Sequence, residues 1–520
     1  MASRVLGLVR DHFLANFFGT GPIAAAWEIA FMLPNMLRNL LAEGVLSQAF
    51  IPVYGQGLKE SEEEAARVAG VVIAFIFCVL LILVATGVVL FPFVLPNIFA
   101  TTEILLLVQL SQLMFVFIMT ASLTALLVGI SNAHHVFVFP AISPILLNLA
   151  FIGAFLILDP LELAAADNAR VLAVVVACTG FLQLFVQAVY VWRKGWWPRL
   201  ALRLRDPVLL QIFSLMAPAV LGAGLFQFNQ LIDVAIASNL IAEELGAVPA
   251  LRFAHRLIQL PTGIIGVALS TVILPTLVAH IKTDGGDSGE NGRELMRALG
   301  FALFLTVPAG LGLFFLGREI INLLLYGGAW DAGSTDATML ALAFYAPGVP
   351  FYSLNKILTS SFYAYQDTRT PVKIMMGVLV VNITLNLTLV LFVFENQSGL
   401  ALSTALCQAL TSGLLLYFLR GKMGALPFDI LIASLRKQVP LWIGMGLFLA
   451  LIAWGPTLPA ADIVRAVFGE LADPTRAIAL VYVLVGVGGG GAMYLGLSLF
   501  TGVREMDVFR RFLGRRGAGD

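Results

Sequence analysis

Residues 68–91 read VAGVVIAFIFCVLLILVATGVVLF, an apolar run without a single charge. About 20 such residues carry an α-helix across roughly 30 Å of hydrocarbon. Runs of this kind recur along nearly the whole chain, and they are continuous rather than alternating at period two, which sets aside a transmembrane β-barrel. Helices satisfy their own backbone groups and are the spanning solution that remains. Apolar runs between polar breaks predict spans at 1–18, 24–54, 68–91, 104–131, 136–158, 169–192, 207–238, 247–281, 296–316, 335–364, 371–394, 399–419, 438–455 and 476–501. The expected fold class is therefore all-α integral membrane, with about 14 transmembrane helices.

Composition agrees with this reading. Of 520 residues, 59% are hydrophobic and 12% charged, against the roughly one quarter charged that a soluble surface needs. The net charge is zero and says nothing about partners. Cys78, Cys178 and Cys407 each sit inside an apolar run, form no metal-ligand spacing, and read as small core residues. Arg10 and Asp11 interrupt the first apolar stretch and no small-residue cleavage site follows, so the amino end is not expected to be a signal peptide.

Orientation follows from the distribution of cations. Of 31 Lys and Arg, 21 fall in one set of loops and in the carboxyl tail, and only Arg170, Arg318, Arg465 and Arg476 fall in the opposite set. This bias places both termini in the cytoplasm, which requires an even number of spans, as predicted.

An internal repeat organises the spans. The second contains Leu33-Pro34, then Leu46-Ser47 followed by Ile51-Pro52; the eighth contains Leu260-Pro261, then Leu269-Ser270 followed by Leu274-Pro275. The fifth carries Leu147-Asn148-Leu149 and the eleventh Leu385-Asn386-Leu387. Both matches lie six spans apart, so the two copies share an orientation, as in transporters built from parallel repeats. The expected domains are a six-helix lobe over 1–192, a second over 207–419, an appended helix pair over 438–501 and a basic cytoplasmic tail over 502–520.

Six cations remain, all within or at the edge of predicted spans: Arg4, Arg10, Arg38, Arg252, Arg256 and Lys356. A charge at the bilayer centre costs about 2.5–3.5 kcal/mol on insertion scales, so these groups must meet water, pair with acids or snorkel to an interface. Arg4 can be an interfacial anchor, Arg252 can snorkel and Lys356 can pair within the bundle. Arg10, Arg38 and Arg256 are harder to place that way. Arg38 and Arg256 flank the Leu-Pro element in corresponding spans, and repeat symmetry would bring both toward one cavity. Asp11 adjoins Arg10, but helix neighbours point about 100° apart and Asp11 need not neutralise it. Guanidinium groups match phosphate oxygens bidentately, so a phosphate-bearing anion is the expected ligand.

A second polar set pairs Asn229 with Asp233 and Asn382 with Asn386, each at i, i+4 on one helix face. Two uses compete. Oxygen ligands with one carboxylate could hold a coupling Na+ or H+, and Asn in membrane helices commonly makes interhelical hydrogen bonds. No other cofactor is expected. The run Gly488–Gly491 lacks a following Lys-Ser/Thr and reads as close helix packing, not a phosphate loop.

The chain also carries a family likeness. Ser3-Arg4-Val5-Leu6-Gly7 with Arg10-Asp11, Leu33-Pro34-Asn35 through Arg38, Ala42-Glu43-Gly44 with Ser47-Gln48-Ala49-Phe50, His255-Arg256-Leu257 before Pro261, and Phe362-Tyr363-Ala364 to Gln366-Asp367 and Thr370-Pro371-Val372-Lys373 resemble the bacterial lipid II flippases (MurJ/MviN). The resemblance runs from the first span to about the twelfth. It implies two six-helix lobes in a V, as in multidrug and toxin extrusion transporters, with the appended pair forming a groove for a polyprenyl tail. It implies transport of undecaprenyl-diphosphate-linked disaccharide-pentapeptide (lipid II) to the outer leaflet of the bacterial inner membrane for peptidoglycan synthesis. By matching position, Arg4, Arg10, Asp11, Arg38 and Arg256 take the roles of cavity residues. The expected form is a monomer beside membrane lipid and the cell-wall synthesis machinery, with no nucleic-acid partner. The family often has acids where this chain has Ala25 and His255, which touches the details of gating. The opening also lacks an apolar stretch usual before the Ser-Arg motif, which implies another start site or a truncated chain.

Alternating access fits these features. The arginines would capture the diphosphate from the inside, and an inside-negative potential, worth about 2.3 kcal/mol per charge per 100 mV, would favour its outward passage. A drug/cation antiporter would want acids and aromatics in its cavity. A polysaccharide-lipid flippase differs from this reading only through the family motifs. A polyprenyl-phosphate transferase would need an acidic cluster or an interfacial His with an acid nearby; Glu60, Glu62, Glu63 and Glu64 lack ligand spacing, and His134 and His135 have no acid close in sequence.

Overall fold

The computed structural model describes residues 2–41, 45–137, 139, 142–266, 268–271, 288–424, 426–454, 474–503 and 505–506. Among these residues every regular element is helical, and ten helices are long and apolar enough to cross a membrane. The all-α integral membrane fold expected from the apolar runs is present. Leu274-Pro275, Lys282, Arg465 and the end of the basic tail lie outside the described residues.

The predicted spans that stand outside those ten are the first, second, seventh and eighth, two pairs at the six-span offset. The first is α1 (Ala2–Phe18), short and carrying Arg10 and Asp11. The second is two helices, α2 (Pro22–Leu41) with Arg38 in its last turn and α3 (Val45–Glu60). The seventh is α8 (Pro207–Leu240), described only in part at its side chains. The eighth begins as α9 (Ala247–Pro261), carries Arg252 and Arg256, and continues as a π turn over Thr262–Gly266. Three of these four spans carry five of the six cations that an apolar solvent would penalise, and the sixth, Lys356, is in the tenth span.

The chain divides into two compact units, Met1–Pro249 with Gly327–Trp330, and Ala250–Tyr326 with Asp331–Asp520. In the first unit α4 (Glu62–Ile98) starts where the Ser61 hydroxyl accepts the Glu64 N–H at 3.0 Å, with Glu62, Glu63 and Glu64 complementing the positive helix end. Val68, Val72, Ile76 and Leu80 recur every fourth residue and are buried, while Ile82 and Phe93 on the opposite side are 67% and 70% exposed. That outer stripe suits hydrocarbon, not water. The central helix is α5 (Ile104–Ala133), which packs against α2, α3, α4 and α7 (Ala165–Arg193). Gly180 allows the α5–α7 approach, because a Cβ there would lie 2.2 Å from Thr120 Oγ1 and 2.8 Å from the Phe117 ring. Helix α6 (Ser143–Leu158) packs on α7 and α1, and α8 packs on α2, α3 and α4. Gly327–Trp330 completes this unit: Ala329 N–H donates to the Asn16 carbonyl at 2.7 Å and Trp330 is buried.

In the second unit some of these neighbour relations recur six spans on. Here α10 (Ser288–Leu325) takes the place of α4, and the pair α11 (Ala332–Tyr345) and α12 (Val349–Ala364) takes the place of α5. Helices α11 and α12 pack on α10 and on α14 (Ser398–Met423), α12 packs on the π turn after α9, and α13 (Arg369–Leu389) packs on α14. The span predicted as one run over 335–364 is thus two helices joined by a 3-10 turn at Ala346–Gly348, where Pro347 supplies no N–H. The appended helices α15 (Phe428–Trp454), α16 (Pro474–Val483) and α17 (Gly490–Phe500) close on α10 around Phe304, Leu316, Met445, Leu449 and Tyr494. The Tyr494 hydroxyl donates to the Phe304 carbonyl at 2.8 Å, satisfying a polar group that hydrocarbon cannot.

Candidate functional site

Arg10 and Asp11 are paired. The Arg10 Nε and Nη2 donate to Asp11 Oδ1 at 3.1 and 2.8 Å, and the two side chains are 17% and 12% exposed. The 100° between helix neighbours is overcome by the length and flexibility of the arginine side chain. The guanidinium also lies 5.8 Å from the centre of the Phe151 ring. Phe151 belongs to an aromatic cluster with Trp27, Phe31 and Phe155, drawn from α2 and α6, so the cation borders an apolar wall at low dielectric. Its Nη1 stays outside the Asp11 pair. Arg4 lies on α1, with its side chain outside what the structure describes.

Arg38 is half-buried in the last turn of α2, where a cation complements the negative helix end. Pro34, one turn earlier, removes one backbone donor from the same helix. The motif residues Ala42-Glu43-Gly44 lie outside the described residues.

In the second unit α9 is strongly two-sided. Leu251, Ala254, Leu257 and Ile258 are buried, while Arg252, His255 and Arg256 share the half-buried side. Arg252 and Arg256 stand at i, i+4 and so on one face. The Arg256 guanidinium lies 5.2 Å from the Phe253 ring centre, and the His255 ring meets Tyr345 and Tyr352 edge-on at 5.9 and 6.1 Å.

Lys356 proves to be tied into backbone. Its Nζ donates to the Thr262 carbonyl at 3.0 Å, from α12 to the first residue of the π turn. A π turn after Pro261 disturbs the regular ladder of carbonyl acceptors, and the ammonium satisfies one of them. The same approach leaves little room at Gly266, where a Cβ would stand 3.0 Å from Lys356 Cδ and 3.2 Å from Ser353 Cα. Nothing in the sequence linked Lys356 to Thr262, because the partners are 94 residues apart.

The Asn pairs keep their i, i+4 geometry. Asn229 Nδ2 donates to Asp233 Oδ2 at 3.2 Å on α8, in the first unit. Asn386 Nδ2 donates to Asn382 Oδ1 at 3.0 Å, and Asn382 Nδ2 to Ser403 Oγ at 3.1 Å, a buried relay that joins α13 to α14 in the second unit. The latter is the interhelical use of Asn.

The lipid II flippase MurJ family model matches residues 14–458. The chain belongs to that family. Its similarity to individual members is spread over most of their length. A lipid II flippase MurJ of Burkholderia cenocepacia is 34% identical over 431 residues, covering 81% of both chains. A probable lipid II flippase MurJ of Vibrio cholerae is 30% identical over 528 residues, covering 98% of this chain and 95% of that one. Among solved structures, a lipid II flippase MurJ in an inward closed conformation superposes with a TM-score of 0.75 at 23% identity, over 96% of each chain. An inward-facing multidrug resistance MATE family transporter reaches 0.68 at 13% identity, over 82% of this chain and 95% of that one. These structural likenesses speak for the fold. As a MurJ family member with ten helices long and apolar enough to cross a membrane among its described residues, the chain is a multi-pass membrane transporter.

Proposed function

We propose that this chain moves lipid II, the undecaprenyl-diphosphate-linked disaccharide-pentapeptide, from the inner to the outer leaflet of the bacterial inner membrane for peptidoglycan synthesis. The observation that carries the reading is family membership along residues 14–458, in a chain whose spans 1, 2 and 8 hold arginines. Arg10, Arg38 and Arg256 bind the diphosphate, because guanidinium forks match its oxygens and arginine cannot escape its charge by deprotonation. Arg4 contributes from the same helix as Arg10. Asp11 orients Arg10 and leaves Nη1 to the ligand.

Both termini lie in the cytoplasm in this reading, as the loop cations require. The inside-negative potential drives the anion outward, at about 2.3 kcal/mol per charge per 100 mV. Transport needs no bound cofactor; Na+ or H+ at Asn229 and Asp233 is the coupling candidate, and Asn382 and Asn386 serve that step through the α13–α14 junction. The working form is a monomer that hands its product to the cell-wall synthesis machinery.

The test is replacement. In bacteria depleted of their own lipid II flippase, expression of this chain is expected to clear the lipid-linked precursor trapped in the inner leaflet. Continued trapping of lipid II with the chain inserted in the membrane contradicts the proposal.

A further inference from the structure

The linker between α7 and α8 is pinned at three points. The Trp196 ring stacks on His134 with 3.9 Å between centres, Arg199 N–H donates to the Ala66 carbonyl at 2.9 Å, and Asp206 both accepts from Arg67 at 2.7 Å and caps α8 through Val208 N–H at 3.1 Å. Held this way, it still presents Leu200, Leu202 and Leu204 at 62%, 56% and 67% exposure, with Trp197 beside them at 44%. A fixed row of apolar side chains at the end of a spanning helix belongs in the boundary between headgroups and acyl chains, where Trp also collects.

Charge narrows the occupant. Arg193, Lys194, Arg203 and Arg205 are exposed and make no ion pair among the described residues. Three of the nearby acids are engaged, Glu63 with Arg199 at 3.2 Å, Glu64 with Arg67 at 2.6 Å and Asp206 with Arg67, which leaves Glu62 near His134 against the four exposed cations. Residues 196–203 form no helix, and along them Leu200 and Leu202 are exposed in the same short stretch as Arg199 and Arg203. Neutral lipid would satisfy the leucines alone. An anionic headgroup above its own acyl chains satisfies leucines and cations together.

We infer that the α7–α8 linker is a docking surface for anionic phospholipid. Each basic residue near an anionic leaflet is worth about fivefold in binding. Headgroup phosphate sits against Arg193, Lys194, Arg203 and Arg205 while Trp197 and the leucines enter the acyl boundary.

The experiment counts retained lipids by native mass spectrometry on the full chain, after exchange into mixed phosphatidylglycerol and phosphatidylcholine with a polyprenyl diphosphate added. Wild type is expected to retain phosphatidylglycerol preferentially. The combined variant Arg193→Gln, Lys194→Gln, Arg203→Gln, Arg205→Gln is expected to lose that preference by tenfold or more, on the order of the charge contribution. If the variant does not fold, salt decides with wild type alone. Raising ionic strength from about 0.1 M to about 1 M shortens the screening length from about 10 Å to about 3 Å and is expected to erase the preference. Unchanged preference in the variant or in high salt overturns the inference. So does selective loss of polyprenyl-diphosphate lipid with phosphatidylglycerol unaffected, which would give the surface to the substrate. The readout is lipid retention, so failure here leaves the flipping proposal untouched.

Discussion

Arg10 closes onto Asp11 with 2.8 Å between Nη2 and Oδ1, and the pair sits against the ring of Phe151. At low exposure such a pair stabilises mainly because neither charge is left alone. Arg10→Ala and Asp11→Ala are each expected to lower stability, and the double variant to lose less than their sum. A double-mutant cycle on unfolding in detergent should show coupling of about 1–3 kcal/mol. Strict additivity would mean that the pair does not act as a unit.

Lys356 supports the π turn rather than standing open to a ligand. Replacing it with Met strands the Thr262 carbonyl, at a cost of about 1–3 kcal/mol, and should lower the unfolding temperature. Gly266→Ala presses on Lys356 Cδ and Ser353 Cα and should destabilise the same junction. Full stability in both variants would refute the tie between α12 and the turn.

Gly180 sets the distance between α5 and α7. Ala at this position places a methyl 2.2 Å from Thr120 Oγ1, so the helices must separate. Overpacking of this kind costs about 1–3 kcal/mol. Thermal unfolding should show the loss, and Thr120→Ala added to Gly180→Ala should recover part of it.

Asp367 gives a pH signature outside the spans. Burial raises its carboxyl, but hydrogen bonds from Thr370 and the Lys422 ammonium, at 2.9 Å, outweigh burial and hold it well below the usual carboxylate range. A carboxyl lowered in the folded state stabilises above its unfolded value and loses that contribution as pH falls through the folded value. Asp367→Asn should therefore be less stable than wild type at neutral pH, with the gap constant down to about pH 4 and narrowing below it. A gap that closes between neutral pH and pH 5 would argue against this carboxylate as its source.

What the sequence made legible was set by local physics. An uncharged run such as Val68–Phe91 has one outcome in a membrane chain, and α4 contains it whole. The i, i+4 spacings of Asn229 with Asp233 and Asn382 with Asn386 became hydrogen bonds, because spacing on a helix is already geometry. The family motif around Asp367 turned out to be a helix-start device, accepting the Arg369 and Thr370 N–H groups at 3.0 Å each. Breaks inside apolar runs were harder to see. Pro347 divides α11 from α12 without any loss of apolar character, so hydrophobicity alone reads straight through it. Contacts between distant residues were invisible: Lys356 with Thr262, and Phe151 beneath Arg10, depend on packing between helices and not on spacing within one.

The most direct test concerns the arginines themselves. Arg38→Ala and Arg256→Ala, expressed at wild-type abundance in cells whose only lipid II flippase is this chain, should each leave lipid II exposed mainly on the inner leaflet, measured by accessibility to an external modifying enzyme. Normal outer-leaflet exposure in both variants would contradict the claim that guanidinium groups on membrane helices carry the diphosphate across.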